Sequence, residues 1–248
     1  MKIIFPELGT NKLARQAIAE FPDIDFLPAT NLDQAATMLQ QGQADSLISG
    51  IDFPSRDVIL TCKAHLPLKS PYFSSSFICQ KDNLTLALAD GGVNKSPTKE
   101  QLYTIVEDTA TTYQAYTNSQ PKIAMLSYST HGSGGKNPDL IRIHYVIEQV
   151  KEHHPDWLID GELQLDAAIS PTIAHKKTPN SPLAGNANIL ITPDLNSGNI
   201  LYKSLERFGG FTIAGPIIQG FEIPLADLSR GSTVADIVLT IKVIRSLL

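Results

Sequence analysis

The chain has 248 residues, 42% hydrophobic and 18% charged, with a formal net charge of −5. That length and balance admit one large or two small domains with sizeable cores, and exclude disorder as the dominant state. The acidic charge with no basic block argues against nucleic acid, no apolar run spans a bilayer, and Met1-Lys-Ile-Ile-Phe-Pro6 lacks the apolar stretch of a signal peptide, so a cytoplasmic protein without membrane partners is expected.

The first elements alternate strand and helix. Ile3 to Phe5 reads as a strand, Lys12 to Glu20 as a helix, Ile24 to Leu27 as a strand and Leu32 to Gln41 as a helix ended by Gly42. Ser46 to Ser49 then reads as a strand closing on Gly50, and Arg56 to Ala64 as a helix. Such repetition predicts a parallel sheet with right-handed crossovers. Cys62 and Cys79 fit no CxxC pattern, which leaves them as buried thiols, and the neighbours His153 and His154 are not an i, i+4 ligand pair.

Pro67 and Pro71 mark a change of character. Tyr72 to Cys79 and Leu84 to Ala89 predict a hairpin across the polar turn Gln80 to Asn83, and Ser96-Pro-Thr-Lys-Glu100 opens a helix that runs to about Tyr116. Lys122 to Leu126 is a buried strand feeding Ser127-Tyr-Ser-Thr-His-Gly-Ser-Gly-Gly135, ahead of a helix carrying Ile143, Ile147 and Val150. Hydroxyls and glycines in that turn suit an anion, with backbone approach allowed by glycine, although neither a P-loop nor GxGxxG is matched and a plain turn is the other reading.

Asp160, Glu162 and Asp166 follow in a partly extended segment. They read either as a divalent-metal or acid/base group on one face, or as turn caps that bind backbone amides. Thr178 to Gly185 is a loop, Ile189 to Thr192 a strand, and Gly198 to Phe208 a helix stopped by Gly209-Gly210, with Arg207 suited to its C-terminal dipole.

Ile223 to Leu228 reads as a strand, and Val234, Ile237, Val238, Ile241, Ile244 and Leu248 recur at helical spacing, so Ser229 to Thr233 is a strand-to-helix turn. It gathers Ser229, Arg230 and Asp236 where an α/β sheet binds ligands and where a helix N-terminus attracts anions. The competing reading is a capping box of Thr233 with Asp236 as its acid.

Taken together, these segments resemble the phosphate acetyltransferase and phosphate butyryltransferase family, with wording closer to the acetyl enzymes. The resemblance is carried by Ala124-Met-Leu-Ser-Tyr-Ser-Thr130 with Gly132-Ser-Gly134, Asp160-Gly-Glu-Leu-Gln-Leu-Asp-Ala-Ala168 and Pro179-Asn-Ser-Pro-Leu-Ala-Gly185. Pro193-Asp-Leu-Asn196 with Gly198-Asn-Ile200, Gly215-Pro-Ile-Ile-Gln-Gly220 and Asp227-Leu-Ser-Arg-Gly231 complete it, and from about Phe73 onward it is continuous.

The resemblance implies two α/β domains around a cleft, the isocitrate/isopropylmalate dehydrogenase-like fold, and a homodimer. It divides the chain into a discontinuous domain, residues 1–69 with 215–248, and a second of residues 70–214. It implies reversible acetyl transfer between coenzyme A and phosphate, with acetyl-coenzyme A, phosphate and acetyl phosphate as substrates, no metal and no permanently bound cofactor. Carried over residue by residue, Arg230 and Ser229 hold the phosphate and Asp236 is the general base for the thiol. Ser127, Thr130, Gly132, Ser133, Asn180, Ser181 and Arg207 bind substrate.

Two departures from the family pattern stand out. His131 occupies a position where members commonly carry lysine, and the segment before Ala44 lacks the arginine-rich helical stretch that touches coenzyme A. The alternatives are a non-catalytic acyl-phosphate-binding homologue or subunit, a phosphate butyryltransferase, and a nicotinamide-linked dehydrogenase on the same fold, the last without a nucleotide fingerprint.

Overall fold

A computed structural model describes residues 1–248. In chain order the elements are β1 (Lys2–Ile4), a 3-10 helix (Pro6–Gly9), α1 (Lys12–Ile18), β2 (Asp25–Leu27), α2 (Leu32–Gln40), β3 (Ser46–Ser49), α3 (Ser55–His65), β4 (Ser74–Lys81), β5 (Leu84–Ala89) and α4 (Lys99–Thr117). They continue with β6 (Lys122–Leu126), α5 (Pro138–His153), β7 (Leu158–Leu163), α6 (Leu165–Ile169), α7 (Pro171–Lys177), β8 (Ile189–Ile191), α8 (Leu195–Arg207), β9 (Thr212–Gln219), β10 (Leu225–Asp227) and α9 (Val234–Ser246). The chain forms two compact units, one of residues 1–73 with 211–248 and the other of residues 74–210.

In the first unit the strands run in the order β2-β1-β3-β10-β9. β1 is parallel to β2 and β3, and β3 is parallel to β10, as the βα repetition predicts, while β9 is antiparallel to β10. Helix α2 starts where the Asn31 side chain accepts the Gln34 N–H, and its apolar face, Leu32, Ala35 and Leu39, joins Ile4, Leu47, Val58, Cys62 and Leu225 in one core cluster. Burial of such aliphatic side chains stabilises by about 1.5–3 kcal/mol each.

In the second unit the order is β4-β5-β8-β6-β7. The predicted β4–β5 hairpin is antiparallel, and β5, β8, β6 and β7 are mutually parallel. Helix α4 opens on a reciprocal cap between Thr98 and Gln101, three residues after the expected start at Ser96, because the Thr98 side chain takes the first orphan N–H. Leu102, Ile105, Val106, Ile143, Ile147 and Val150 from α4 and α5 are buried with Ile123, Ala124 and Met125 of β6.

Several elements differ from expectation. Helix α8 begins at Leu195 rather than Gly198, since Asp194 accepts the Ser197 N–H at 2.9 Å and caps it. Strand β7 ends at Leu163, so Asp160 and Glu162 lie on it while Asp166 sits in α6. Strand β9 carries Gly215-Pro216 inside an apolar run, a pair that ordinarily interrupts a ladder. Its residues that pair with β10, Ile217 with Ala226 and Ile218 with Leu225, lie beyond the proline.

Candidate functional site

The turn after β10 is built from the backbone outward. Leu228 N–H donates to Ser49 O at 2.5 Å, Ser232 N–H to Ser229 O at 2.9 Å, and Gly231 N–H to Ser229 Oγ at 3.3 Å. Gly50, at φ +113, lies against this joint, where a Cβ would collide with Asp227 Oδ1 and the Leu228 backbone, so only glycine fits. Ser229 is half-buried and Arg230 is exposed, with no hydrogen bond or ion pair to the rest of the chain. A free guanidinium just before the N-terminus of α9 gains nothing from that helix dipole, which favours anions. The arrangement suits an anion held by both.

Asp236 is buried at 4% exposure. Its Oδ2 accepts the Thr233 N–H and the Thr233 Oγ1–H, each at 2.7 Å, while Thr233 Oγ1 accepts the Asp236 N–H at 3.3 Å. Its Oδ1 accepts the Ile213 N–H at 2.8 Å. The capping box read from the sequence is therefore present, and the same carboxylate also ties α9 to β9.

The Ser127 to Gly135 turn of the second unit folds on a different carboxylate. Glu162, fully buried on β7, accepts Ser129 Oγ–H at 2.7 Å and Gly132 N–H at 2.6 Å through Oε1, and His144 Nε2 lies 2.6 Å from Oε2. Burial alone would push this carboxyl up, but the Ser129, Gly132 and His144 donors outweigh it and hold it at about 2. Every backbone N–H from Ser129 to Gly135 has a partner within the chain. His131 donates to Glu162 O, Gly134 to Ser129 Oγ, Thr130 to Ser133 Oγ, and the others to Ser127 Oγ, Thr130 O and Gly132 O. The expectation that glycine opens this backbone to an anion is corrected, because the Glu162 carboxylate already takes the Gly132 amide. Any added anion meets hydroxyls here rather than an amide nest.

Asp160 faces His131 Nε2 at 3.2 Å and Asp166 pairs with Lys177 at 2.8 Å, so the three acids read as a possible metal group serve separate partners and form no common ligand set. The amide-binding reading holds for all three: Glu162 accepts the Gly132 N–H, Asp160 the Gly161 N–H at 2.9 Å and Asp166 the Ala167 N–H at 2.8 Å. Asn180 is exposed. Ser181 Oγ accepts the Leu183 N–H at 3.3 Å in a loop whose Gly185, at φ +72, lies against Ser170 and Pro171. Arg207 ends α8 with its side chain 62% exposed and 3.5 Å from Glu206. The structure thus groups Ser127, Thr130, Gly132 and Ser133 in one turn, and leaves Asn180 with Ser181, and Arg207, on separate elements.

A cavity of about 340 Å³ opens at the C-terminal ends of β6 and β8, with Ser127 and Tyr128 at its wall beside Leu126, Ile143, Thr192 and Leu201. That is the end of a parallel sheet where ligands are bound. Cys62 and Cys79 are buried thiols pushed up to about 12 by burial, and neither is a nucleophile at neutral pH. Sequence reasoning missed the support beneath the two turns. Glu7 under Gly50 left no local signal, and the Glu162 contact joins residues thirty positions apart.

The family described as phosphate acetyl/butaryl transferase matches residues 15–244. A phosphate acetyltransferase of Treponema pallidum is 40% identical over 215 residues, covering 82% of this chain and 64% of that protein. The Escherichia coli phosphate acetyltransferase is 38% identical over 218 residues, covering 85% of this chain and 30% of that protein. The chain therefore spans less than two thirds of these curated relatives. A crystal structure of a phosphotransacetylase from Streptococcus pyogenes superimposes with a TM-score of 0.86 at 28% identity, covering 100% of this chain and 93% of that one. A putative 4-hydroxythreonine-4-phosphate dehydrogenase from Salmonella typhimurium, 12% identical with a TM-score of 0.58, shares the fold alone, which is isocitrate dehydrogenase-like.

Proposed function

The chain belongs to the phosphate acetyl/butaryl transferase family, and on that basis we propose that it is a phosphate acetyltransferase, converting acetyl-coenzyme A and phosphate reversibly to acetyl phosphate and coenzyme A. In this reading Ser229, Arg230 and Asp236 are the reacting-centre residues, and Ser127, Thr130, Ser133, Asn180, Ser181 and Arg207 are substrate contacts, while Gly132, whose N–H is held by Glu162, shapes its turn. Arg230 carries the reading: it is an unpaired guanidinium at a strand-to-helix turn whose dipole welcomes an anion.

Arg230 and Ser229 hold the phosphate and oppose the charge that grows on its oxygens and on the attacked carbonyl. Fixed donors of this kind are worth about 2.7–4 kcal/mol in the transition state. The coenzyme A thiol has a free pKa of about 8.5, so its attack on acetyl phosphate at neutral pH needs a base. Asp236 fills that role. A carboxylate offers about four lone-pair sites, and its cap and the Ile213 amide leave Oδ1 capacity for one more proton donor. Ser127, Thr130 and Ser133 contribute hydroxyls, because their turn's amides are engaged.

The experiment is phosphate-dependent release of free thiol from acetyl-coenzyme A by purified protein, run beside propionyl and butyryl donors. A butyryl preference would move the reading within the family. Tight acetyl-coenzyme A binding without turnover would instead support a non-catalytic homologue. On the same resemblance we extend the proposal to a homodimer working in the cytoplasm, checked by sedimentation and by fractionation of cells.

A further inference from the structure

Two buried carboxyls lie beneath the Ser229–Arg230 turn and have no role in the chemistry above. Asp227 closes β10 two residues ahead of Ser229, is fully buried, and neither of its carboxyl oxygens makes a well-formed hydrogen bond, with the Ser55 hydroxyl its one neighbouring donor. Glu7, at 2% exposure, aims at the same joint. Its Oε1 accepts Ser49 Oγ–H at 3.0 Å and Gly50 N–H at 2.7 Å, and its Oε2 has no partner. Gly50 lies between them, held by Glu7 on its amide and packed through its Cα against Asp227 Oδ1 and the Leu228 backbone.

We infer that Asp227 is a positioning residue for the anion-binding turn: as a neutral acid it lets β3 and β10 close on Gly50 and so fixes Ser229 and Arg230, and once ionised it opens that joint and weakens anion capture. The inference rests on the reading of Ser229 and Arg230 as the phosphate holders. An ionised carboxylate buried without a well-formed hydrogen bond is costly, so the group keeps a proton until solvent removes it, and a second negative charge beside Glu7 repels across one glycine. The joint has little slack, because Leu228 N–H reaches Ser49 O at 2.5 Å and the turn hangs directly from it.

Burial pushes Asp227 up to about 7, the Ser55 hydroxyl offsets part of that, and Glu7 adds to it. Burial raises Glu7 as well. On α3 the Cys62 thiol is pushed up to about 12, while Arg56 and Asp57 are exposed. Ser49 of β3 and Ile217 and Ile218 of β9 are uncharged, and on α9 the one buried acid, Asp236, is engaged by Thr233 and Ile213.

Sulfate is the probe, since it stays dianionic across the range and any pH dependence belongs to the protein. If only the protonated form captures the anion, about one molecule in eleven remains competent one unit above the midpoint, so wild-type sulfate affinity falls about tenfold from about pH 6 to about pH 8. Calorimetry on Asp227→Asn, which keeps the neutral shape, is expected to show no such fall. Glu7→Gln is expected to move the fall to lower pH, because the neighbouring charge that holds the proton is gone. Parallel profiles for wild type and Asp227→Asn overturn the inference, as does an unmoved midpoint in Glu7→Gln should the first variant not fold. An enzyme active in acetyl transfer with parallel sulfate profiles loses only the Asp227 role. A protein that binds no sulfate at about pH 6 loses the phosphate role of the turn and this inference together.

Discussion

Asp236 Oδ1 accepts the backbone N–H of Ile213 at 2.8 Å, which joins the first turn of α9 to β9 through the same side chain that caps the helix at Thr233. The proposed general base is thus also a structural tie, and the two roles are separable by pH. Asp236→Asn keeps one carbonyl oxygen but turns an NH₂ toward a buried donor, so it is expected to cost on the order of 1–3 kcal/mol of stability. Loss of the base lowers kcat by about 10²–10⁴ near neutral pH, and the deficit narrows toward about pH 8.5, where the thiol ionises unaided. The readout is kcat against pH in the direction that consumes coenzyme A. Profiles parallel to wild type would leave Asp236 as a cap alone.

Arg230→Gln separates chemistry from stability in the opposite way. The side chain is exposed and makes no hydrogen bond or ion pair with the chain, so the melting transition is expected to stay within about 0.5 kcal/mol of wild type. Turnover is expected to drop by about 10²–10³, as for loss of one charged transition-state donor. A folded variant with near-normal kcat would remove Arg230 from the mechanism.

Glu162→Gln tests whether the Ser127 to Gly135 turn is held by charge. The wild-type carboxyl sits at about 2, below its ordinary 4.5, because its donors prefer the ionised form. The sign follows from linkage. The stabilisation is complete above the unfolded value, and is lost as pH falls through the window from 4.5 to about 2. Wild type is therefore expected to be more stable than Glu162→Gln at neutral pH, with the gap closing in acid. Melting curves of the two proteins through that window check it, and a gap constant with pH would contradict it.

The strand and helix pattern was legible because apolar spacing reports which face is buried, as in Ile123 to Leu126 of β6 and Ile237, Ile241 and Ile244 of α9. The turn Ser229 to Thr233 and the cap on Asp236 were legible for the same local reason: cap and helix lie within four residues. Strand β9 was not, since Gly215-Pro216 hides a ladder that depends on β10. Glu162 under Gly132, Glu7 under Gly50 and Ile213 on Asp236 were not legible either. Each joins residues at least twenty-three positions apart, and a backbone N–H donor has no sequence signature.

The most direct test of acetyl transfer is the rate at which clean, folded protein releases free coenzyme A from acetyl-coenzyme A with and without inorganic phosphate. Thiol appearing only with phosphate, matched mole for mole by acetyl phosphate and abolished in Arg230→Gln, is the predicted result. No thiol above the uncatalysed background in the presence of phosphate, or thiol released equally without it, would contradict it.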